Sequence, residues 1–356
     1  MIDITYEWNL KDTKFTKDKG KVFSCFSCGG GSTMGYKLAG FDVIGCNEID
    51  NKMMEVYKVN HNPNLSYLES ITTFKDRDDL PEELYNLDIL DGSPPCSSFS
   101  MAGNREKDWG NNKKFREGQA YQVLDTLFFD FIDLAKKLKP KVVIAENVKG
   151  LLMGNAIEYV KKIYKDFDDA GYYCQHFLLN SKNMGVPQKR ERVFFICLRK
   201  DLAEPFLYNK DIFTLIPKLE LNFNQKVILF KDVYEPNVYD SKHSKNNNMY
   251  RYWDNRVKND KCIGDIVKRL DNKTKLFTVM FYHKDKIPPT LTRRDRTILF
   301  DEYRGLNNIE SCKIGSYPMD YNFLKNNPTY LIGMSVPPLM MAQIADRIFN
   351  QWLNKI

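Results

Sequence analysis

What this chain lacks narrows the possibilities before any motif is considered. Its 356 residues hold no apolar run near the roughly 20 that a membrane-crossing helix needs. The opening Met1-Ile2-Asp3-Ile4 has no basic flank leading into an apolar stretch, so neither a membrane span nor a secretory leader is expected. Histidine is scarce: His61, His176, His243 and His283 are far apart and form no ligand-spaced cluster. Among the eight cysteines, Cys25 and Cys28 make a Cys-x-x-Cys pair, but no second pair or nearby histidine completes a zinc site, and no metal is expected. Cys46, Cys174 and Cys197 sit inside apolar runs, which suits buried reduced thiols and a cytosolic location better than a secreted disulfide framework. Internal repeats and low-complexity tracts are absent as well.

What is present suits an enzyme-sized globular protein. A hydrophobic fraction of 43% allows a substantial core, and the formal charge of +7 permits a polyanionic partner without specifying one. From residue 21 to about 199, short β-rich runs alternate with amphipathic helical patterns, which predicts a doubly wound α/β fold with a parallel sheet. Candidate strands are 22–26, 43–47, 89–91, 142–146, 173–178 and 193–198. The alternation fades across 201–287, where enough apolar residues remain for a small second domain, then returns and ends in a predicted helix over 338–353. The expected division is therefore 1–200 plus 288–356 for the main domain and 201–287 for the insert. Nothing demands more than a monomer.

Polar groups collect where strands end, the place where open α/β sheets bind ligands. The strand leading to Phe26 is followed by Ser27-Cys28-Gly29-Gly30-Gly31, a glycine turn running into a helix. The next strand ends in Asn47-Glu48-Ile49, an acid placed to accept hydrogen bonds from a ribose diol. These two signals suit a nucleoside cofactor but do not separate a dinucleotide from S-adenosylmethionine. A tight turn needing positive φ is the plainer explanation of the glycines. Further on, Pro94-Pro95-Cys96 places a thiol in a stiffened turn at a strand end, an unusual setting for core filler. Strand 142–146 then brings Glu146 to the same edge, although a carboxyl there would also cap the next segment.

These segments, in this order, resemble the cytosine-5 DNA methyltransferases of bacterial restriction-modification type. The resemblance rests on the glycine loop, Asn47-Glu48, Pro94-Pro95-Cys96, Glu146-Asn147-Val148, Gln188-Lys189-Arg190-Glu191-Arg192, Pro289-Thr290-Leu291-Thr292 and Gly333-Met334-Ser335-Val336-Pro337-Pro338. It covers about 21–200 and 288–356 and leaves the insert as a target-recognition domain. It implies a Rossmann-like S-adenosyl-L-methionine-binding domain, Cys96 as nucleophile at carbon 6 of a flipped cytosine, and Glu146 and Arg192 holding the base. Arg190, two residues earlier on the same strand, is expected to point the same way. Cofactor contacts carried over are Phe26, Ser27, Gly29, Gly30, Gly31, Glu48, Ile49, Ser70, Ile71, Pro94, Leu127, Ser335 and Val336. The chain departs from the family pattern at Cys28, where glycine is usual, Ser70, where aspartate is usual, Met334, where asparagine is usual, and Ser97, where glutamine is usual.

Duplex DNA is the expected partner, a cognate restriction endonuclease the functional companion, and the bacterial cytosol the place. The polar loop 97–118, with Ser98, Ser100, lysines and possible glycine hinges, is expected to close on the flipped base, and Arg251, Tyr252 and Trp253 to contact DNA from the basic, aromatic insert. A transfer-RNA relative would share the chemistry, and the sizeable insert favours DNA over it. A binding protein that kept the fold is opposed by the intact Cys96, Glu146 and Arg192. A nicotinamide oxidoreductase leaves Pro94-Pro95-Cys96 unexplained.

Overall fold

The structure, a computed structural model, describes residues 5–95, 126–154, 156–211, 214–236, 248–273, 279–292 and 297–356, with the backbone of 112–113 and 122–123. Strands and helices alternate through β1 (Lys21–Cys25), α1 (Gly31–Leu38), β2 (Asp42–Glu48), α2 (Asn51–His61), β3 (Leu65–Leu68), α3 (Ile71–Lys75) and β4 (Ile89–Gly92). A short antiparallel pair, β5 (Asn112–Lys113) and β6 (Gln122–Val123), precedes α4 (Leu127–Leu138), β7 (Val142–Val148), α5 (Ala156–Asp169), β8 (Tyr172–Asn180) and β9 (Glu191–Arg199).

Seven of these strands form one sheet in the order β3-β2-β1-β4-β7-β9-β8. The segment from β3 to β7 is parallel, whereas β9 runs antiparallel to both β7 and β8. The reason is the connection: β8 and β9 are joined without a crossover helix, and parallel neighbours need one. The expected parallel sheet thus carries an antiparallel strand next to its edge. That reversal places the start of β9, with Arg192, beside the carboxyl end of β7.

Both faces of the sheet are covered, as the continuous apolar strands require. On one face Phe23, Val143, Phe195 and Cys197 pack with α4 and α5 residues such as Phe128, Phe131 and Ile163. On the other, Val22, Ile144 and Ile196 pack with Tyr36 of α1 and with Met341, Ile344 and Ile348 of α10 (Pro338–Gln351). The doubly wound Rossmann-like fold is the observed one, and the C-terminal helix closes it.

After β9 come the hairpin β10 (Leu207–Asn209) with β11 (Leu215–Pro217), then α6 (Asn248–Asp254), α7 (Ile263–Asp271) and the parallel pair β12 (Met280–Tyr282) with β13 (Thr297–Leu299). Helices α8 (Asn308–Gly315) and α9 (Pro328–Met334) lead into α10. Apolar contacts distribute this stretch unevenly. Ala203, Leu219 and Leu221 belong to the core of the main domain. A separate small cluster gathers Trp253, Ile263, Ile266, Val267, Phe281 and Ile298, with Phe300 and Tyr303 against it. It therefore reaches past residue 287. Among the described residues, no helix is long and apolar enough to cross a membrane, and no group of three His, Cys, Asp or Glu is placed to hold a metal.

Candidate active site

The parallel strands deliver their carboxyl ends to one edge, and the side chains there are held largely by main chain. At the end of β1 the backbone turns sharply, with φ of 53° at Phe26, 48° at Cys28 and 78° at Gly30, the residue that precedes α1. Glycine at position 30 has two reasons: the left-handed backbone, and a Cβ that would fall 2.2 Å from Nε2 of the buried His61. A Cβ on Gly31 would meet the Val336 carbonyl oxygen at 2.4 Å and Ser335 at 2.8 Å. The glycines thus let the loop approach protein, and that approach seats Ser335 and Val336 against it.

Glu48, at the end of β2, is buried, and its carboxylate accepts from three backbone N–H groups: Cys28 at 2.8 Å, Ile49 at 2.9 Å and Asp50 at 2.9 Å. Such a cradle fixes both oxygens and leaves about one acceptor site, on Oε2, for a ribose hydroxyl. Half-buried Phe26 and Ile49 flank it. Ser70 caps α3 by accepting from the Thr73 N–H at 3.1 Å, and Ile71 beside it is buried. Ser335 donates to the Leu331 carbonyl at 3.0 Å. Leu127 stands apart: it is core beneath the sheet, so its cofactor role rests on resemblance alone. An acid cradle with partly open apolar neighbours fits an adenosyl group. Cys28 accommodates its left-handed backbone while burying its thiol.

A second polar group lies at the end of β7, three strands from β2. Glu146, near the end of β7, and Arg192, near the start of antiparallel β9, share one face and form an ion pair with Nε to Oε1 at 2.9 Å. Both are mostly buried, with 12% and 16% of the side chains exposed. Burial pulls the Arg192 guanidinium below its ordinary range, and Glu146 opposes that shift. Next to Glu146, Asn147 donates to the Pro94 carbonyl at 3.1 Å, so β7 tethers the segment that leads directly to residue 96. In the sequence Asn147 is only part of a motif; in the structure its buried side chain anchors the proline turn. Cys96, Ser98, Ser100 and the loop 97–118 lie outside the described residues, save for the backbone of β5.

Arg190 requires a correction. It is buried at 2% exposure, and its guanidinium donates to the carbonyls of Leu291 at 2.8 Å, Gly333 at 3.0 Å and Ser335 at 2.9 Å. Period two does put it on the face of Arg192, but it acts by tying β9 to the segment bearing Ser335 rather than by reaching a substrate. Trp253 is also corrected: it is 8% exposed, forms the centre of the small cluster, and donates from Nε1 to Leu299. It cannot stack on a base from there. Arg251 and Tyr252 remain at the surface of α6, both bonded to Asp271.

One buried acid was missed by sequence reasoning. Asp91, near the end of β4, accepts from Ser24 at 2.8 Å and Tyr36 at 3.1 Å, and burial pushes its carboxyl up to about 7. Its signal was faint, since a lone aspartate at a strand end also reads as a turn former.

Comparison with known proteins bears on the family and the fold. A model of the C-5 cytosine-specific DNA methylase family matches residues 20–350. The chain is 40% identical to the type II methyltransferase M.FnuDI of Fusobacterium nucleatum over 182 residues, 51% of this chain and 48% of that protein. It is 27% identical to M1.HphI of Haemophilus parahaemolyticus over 345 residues, covering 93% of this chain and 87% of that one. The chain thus matches about half the length of several curated relatives and most of another. The Spodoptera frugiperda DNMT2 mutant structure superposes with a TM-score of 0.63 at 19% identity, over 92% of this chain and 99% of that one. Dnmt2 of S. pombe gives 0.57 at 15%, over 92% and 98%. Identities this low speak to the fold. The ordered motifs, the sheet edge and the family match lead to one conclusion: this chain belongs to the C-5 cytosine-specific DNA methylase family.

Proposed function

We propose that this protein methylates carbon 5 of cytosine within a specific sequence of duplex DNA, with S-adenosyl-L-methionine as donor. The observation that carries the reading is the Glu146–Arg192 pair, 2.9 Å apart at the carboxyl edge of the sheet, beside the Asn147 tether to Pro94. The bound cofactor supplies an electrophilic methyl group. Phe26, Glu48, Ile49, Ser70 and Ser335 would hold it.

The chain's own residues do the rest. Carbon 5 of cytosine is a weak nucleophile until a group adds at carbon 6, and the Cys96 thiolate is that group. Only about a tenth of an ordinary thiol is ionised near pH 7.5, so local donors or cations must favour the thiolate. Arg192 donates to the base carbonyl oxygen. Glu146 accepts from the exocyclic amine and, when protonated, donates to the ring nitrogen, offsetting charge as it develops. The ion pair orients both groups before substrate arrives. Because a stacked base cannot reach this edge, the cytosine is flipped out at a cost of a few kcal/mol.

Target recognition belongs to the small unit around Trp253, whose α6 carries exposed Arg251 and half-buried Tyr252. The protein works as a monomer in a bacterial cytosol, alongside a cognate restriction endonuclease. Tritiated methyl transfer to duplex DNA, with transfer RNA in parallel, tests the reading in wild type and Cys96→Ser. Cysteine-dependent label at carbon 5 in a short DNA motif is expected. Label confined to RNA, or undiminished label in the serine variant, would overturn it.

A further inference from the structure

The edge hairpin carries a second thiol arrangement, remote from Cys96 in the sequence and not used by the proposed chemistry. Cys174 of β8 and Cys197 of β9 stand directly opposite each other in an unbroken antiparallel register that runs from Tyr172↔Arg199 to Asn180↔Glu191. Opposed residues in such a ladder alternate between hydrogen-bonded pairs and closer, non-hydrogen-bonded ones. The alternation can be counted from both ends. Lys200 donates to the Gly171 carbonyl at 2.9 Å and Ser181 to the Arg190 carbonyl at 3.0 Å, which marks both flanking pairs as hydrogen-bonded. Counting inward from either flank makes Cys174 and Cys197 a non-hydrogen-bonded pair.

That type of pair brings Cα atoms to about 4.5 Å and side chains closest together. The distance falls within the range of about 4.4–6.8 Å that a disulfide spans. Opposed residues also share a face, so both thiols lie on the side of the sheet covered by α5. Both are free. Their exposure differs: Cys197 is fully buried beneath α5, whereas Cys174 is only partly buried and lines a cleft of about 370 Å³ with Tyr164, Lys165, Asp168, Tyr172 and Tyr173.

We propose that Cys174 and Cys197 form a reversible oxidation site, a cross-strand dithiol that a small peroxide entering this cleft converts to a disulfide. The half-buried Cys174 sulfur attacks hydrogen peroxide, breaks the O–O bond, gives up its proton to the leaving hydroxide, and becomes a sulfenic acid as one water leaves. The Cys197 thiol then displaces the hydroxyl, loses its proton, and closes the S–S bond as a second water leaves. Two S–H bonds and one O–O bond are consumed for one disulfide and two waters. Burial pushes the Cys197 thiol well up, which leaves the less buried Cys174 as the first attacker. The product staples the edge strand β8 to β9, the strand that carries Arg192.

The test is hydrogen peroxide treatment of the reduced full-length protein, followed by peptide mapping without reductant. A linked Cys174–Cys197 peptide pair, lighter by two hydrogens and released by dithiothreitol, is expected. In Cys197→Ala the product should become a Cys174 sulfenic acid trapped by dimedone. In Cys174→Ser, Cys197 should stay alkylatable after unfolding at a peroxide dose that links the wild type fully. Recovery of Cys197 as a free thiol in treated wild type, with Cys174 over-oxidised or joined to another cysteine, overturns the proposal.

Discussion

The sheet edge and the small unit around Trp253 are held by different means. At the edge, main chain does the holding: three N–H groups grip Glu48, and Arg190 grips three carbonyls. The strands beneath have apolar cover on both faces. The small unit has one apolar cluster and a parallel pair of three-residue strands, supported by charged side chains. Arg256 stacks over Trp253 at 3.4 Å from the ring centre, and Arg269 pairs with Asp260 at 2.7 Å. A buried ion pair of Arg304 with Glu310, 2.8 Å apart, joins the segment after β13 to α8. A contact between one side chain and backbone depends on a single residue type, while a contact between two side chains depends on both.

That comparison can be broken at several points. The largest effect belongs to Arg192→Met, which should lower kcat by roughly 10²–10³, the usual loss for one charge-stabilising donor, with DNA affinity little changed. An equal loss of affinity would mean that Arg192 serves binding instead. Arg190→Met should cost stability without touching substrate, by about 3 kcal/mol or more, since each orphaned buried acceptor costs about 1–3 kcal/mol. Urea unfolding measures it. A variant as stable as wild type would show that the cost of burying the guanidinium outweighs its three hydrogen bonds.

Trp253→Ala should cost about 3–5 kcal/mol, but within the small unit only. Hydrogen exchange would then rise in α6, α7 and β12 while β1, β4 and β7 keep their protection. Global loss would show the two regions to be one cooperative body. Asp91 sharpens the contrast through pH. Burial lifts its carboxyl from the ordinary 3.8 to about 7, so folding takes up a proton across that interval and stability falls as pH rises through it. Asp91→Asn should flatten Tm between pH 4 and 7 relative to wild type; an unchanged slope would place the titration elsewhere. The smallest effect is expected from Arg251→Gln, an exposed cation whose loss should weaken DNA binding a few-fold and reduce the salt slope by about one.

Periodicity and turn chemistry made the α/β alternation readable, and the six expected strands and the closing helix are all present within a few residues. The short strand β3 escaped notice because four residues with half-exposed side chains carry little pattern. Glu48 and Glu146 were legible because strands that end in acids stand out against apolar runs. The roles of Arg190 and Trp253 were not: a cation on an active-site strand and an aromatic in a basic stretch look the same in sequence whether they face a ligand or the interior.

By itself, the order of residues determined the fold class, the loop that opens α1 and the order of the motifs, since these depend on local periodicity and on neighbours in the chain. Only the tertiary structure decided that β9 runs backwards and so pairs Arg192 with Glu146, that Arg190 serves the backbone, and that Cys174 meets Cys197. Each of these depends on strand direction, register or contacts between segments far apart in sequence, and no local pattern encodes which distant group will satisfy a buried charge or thiol.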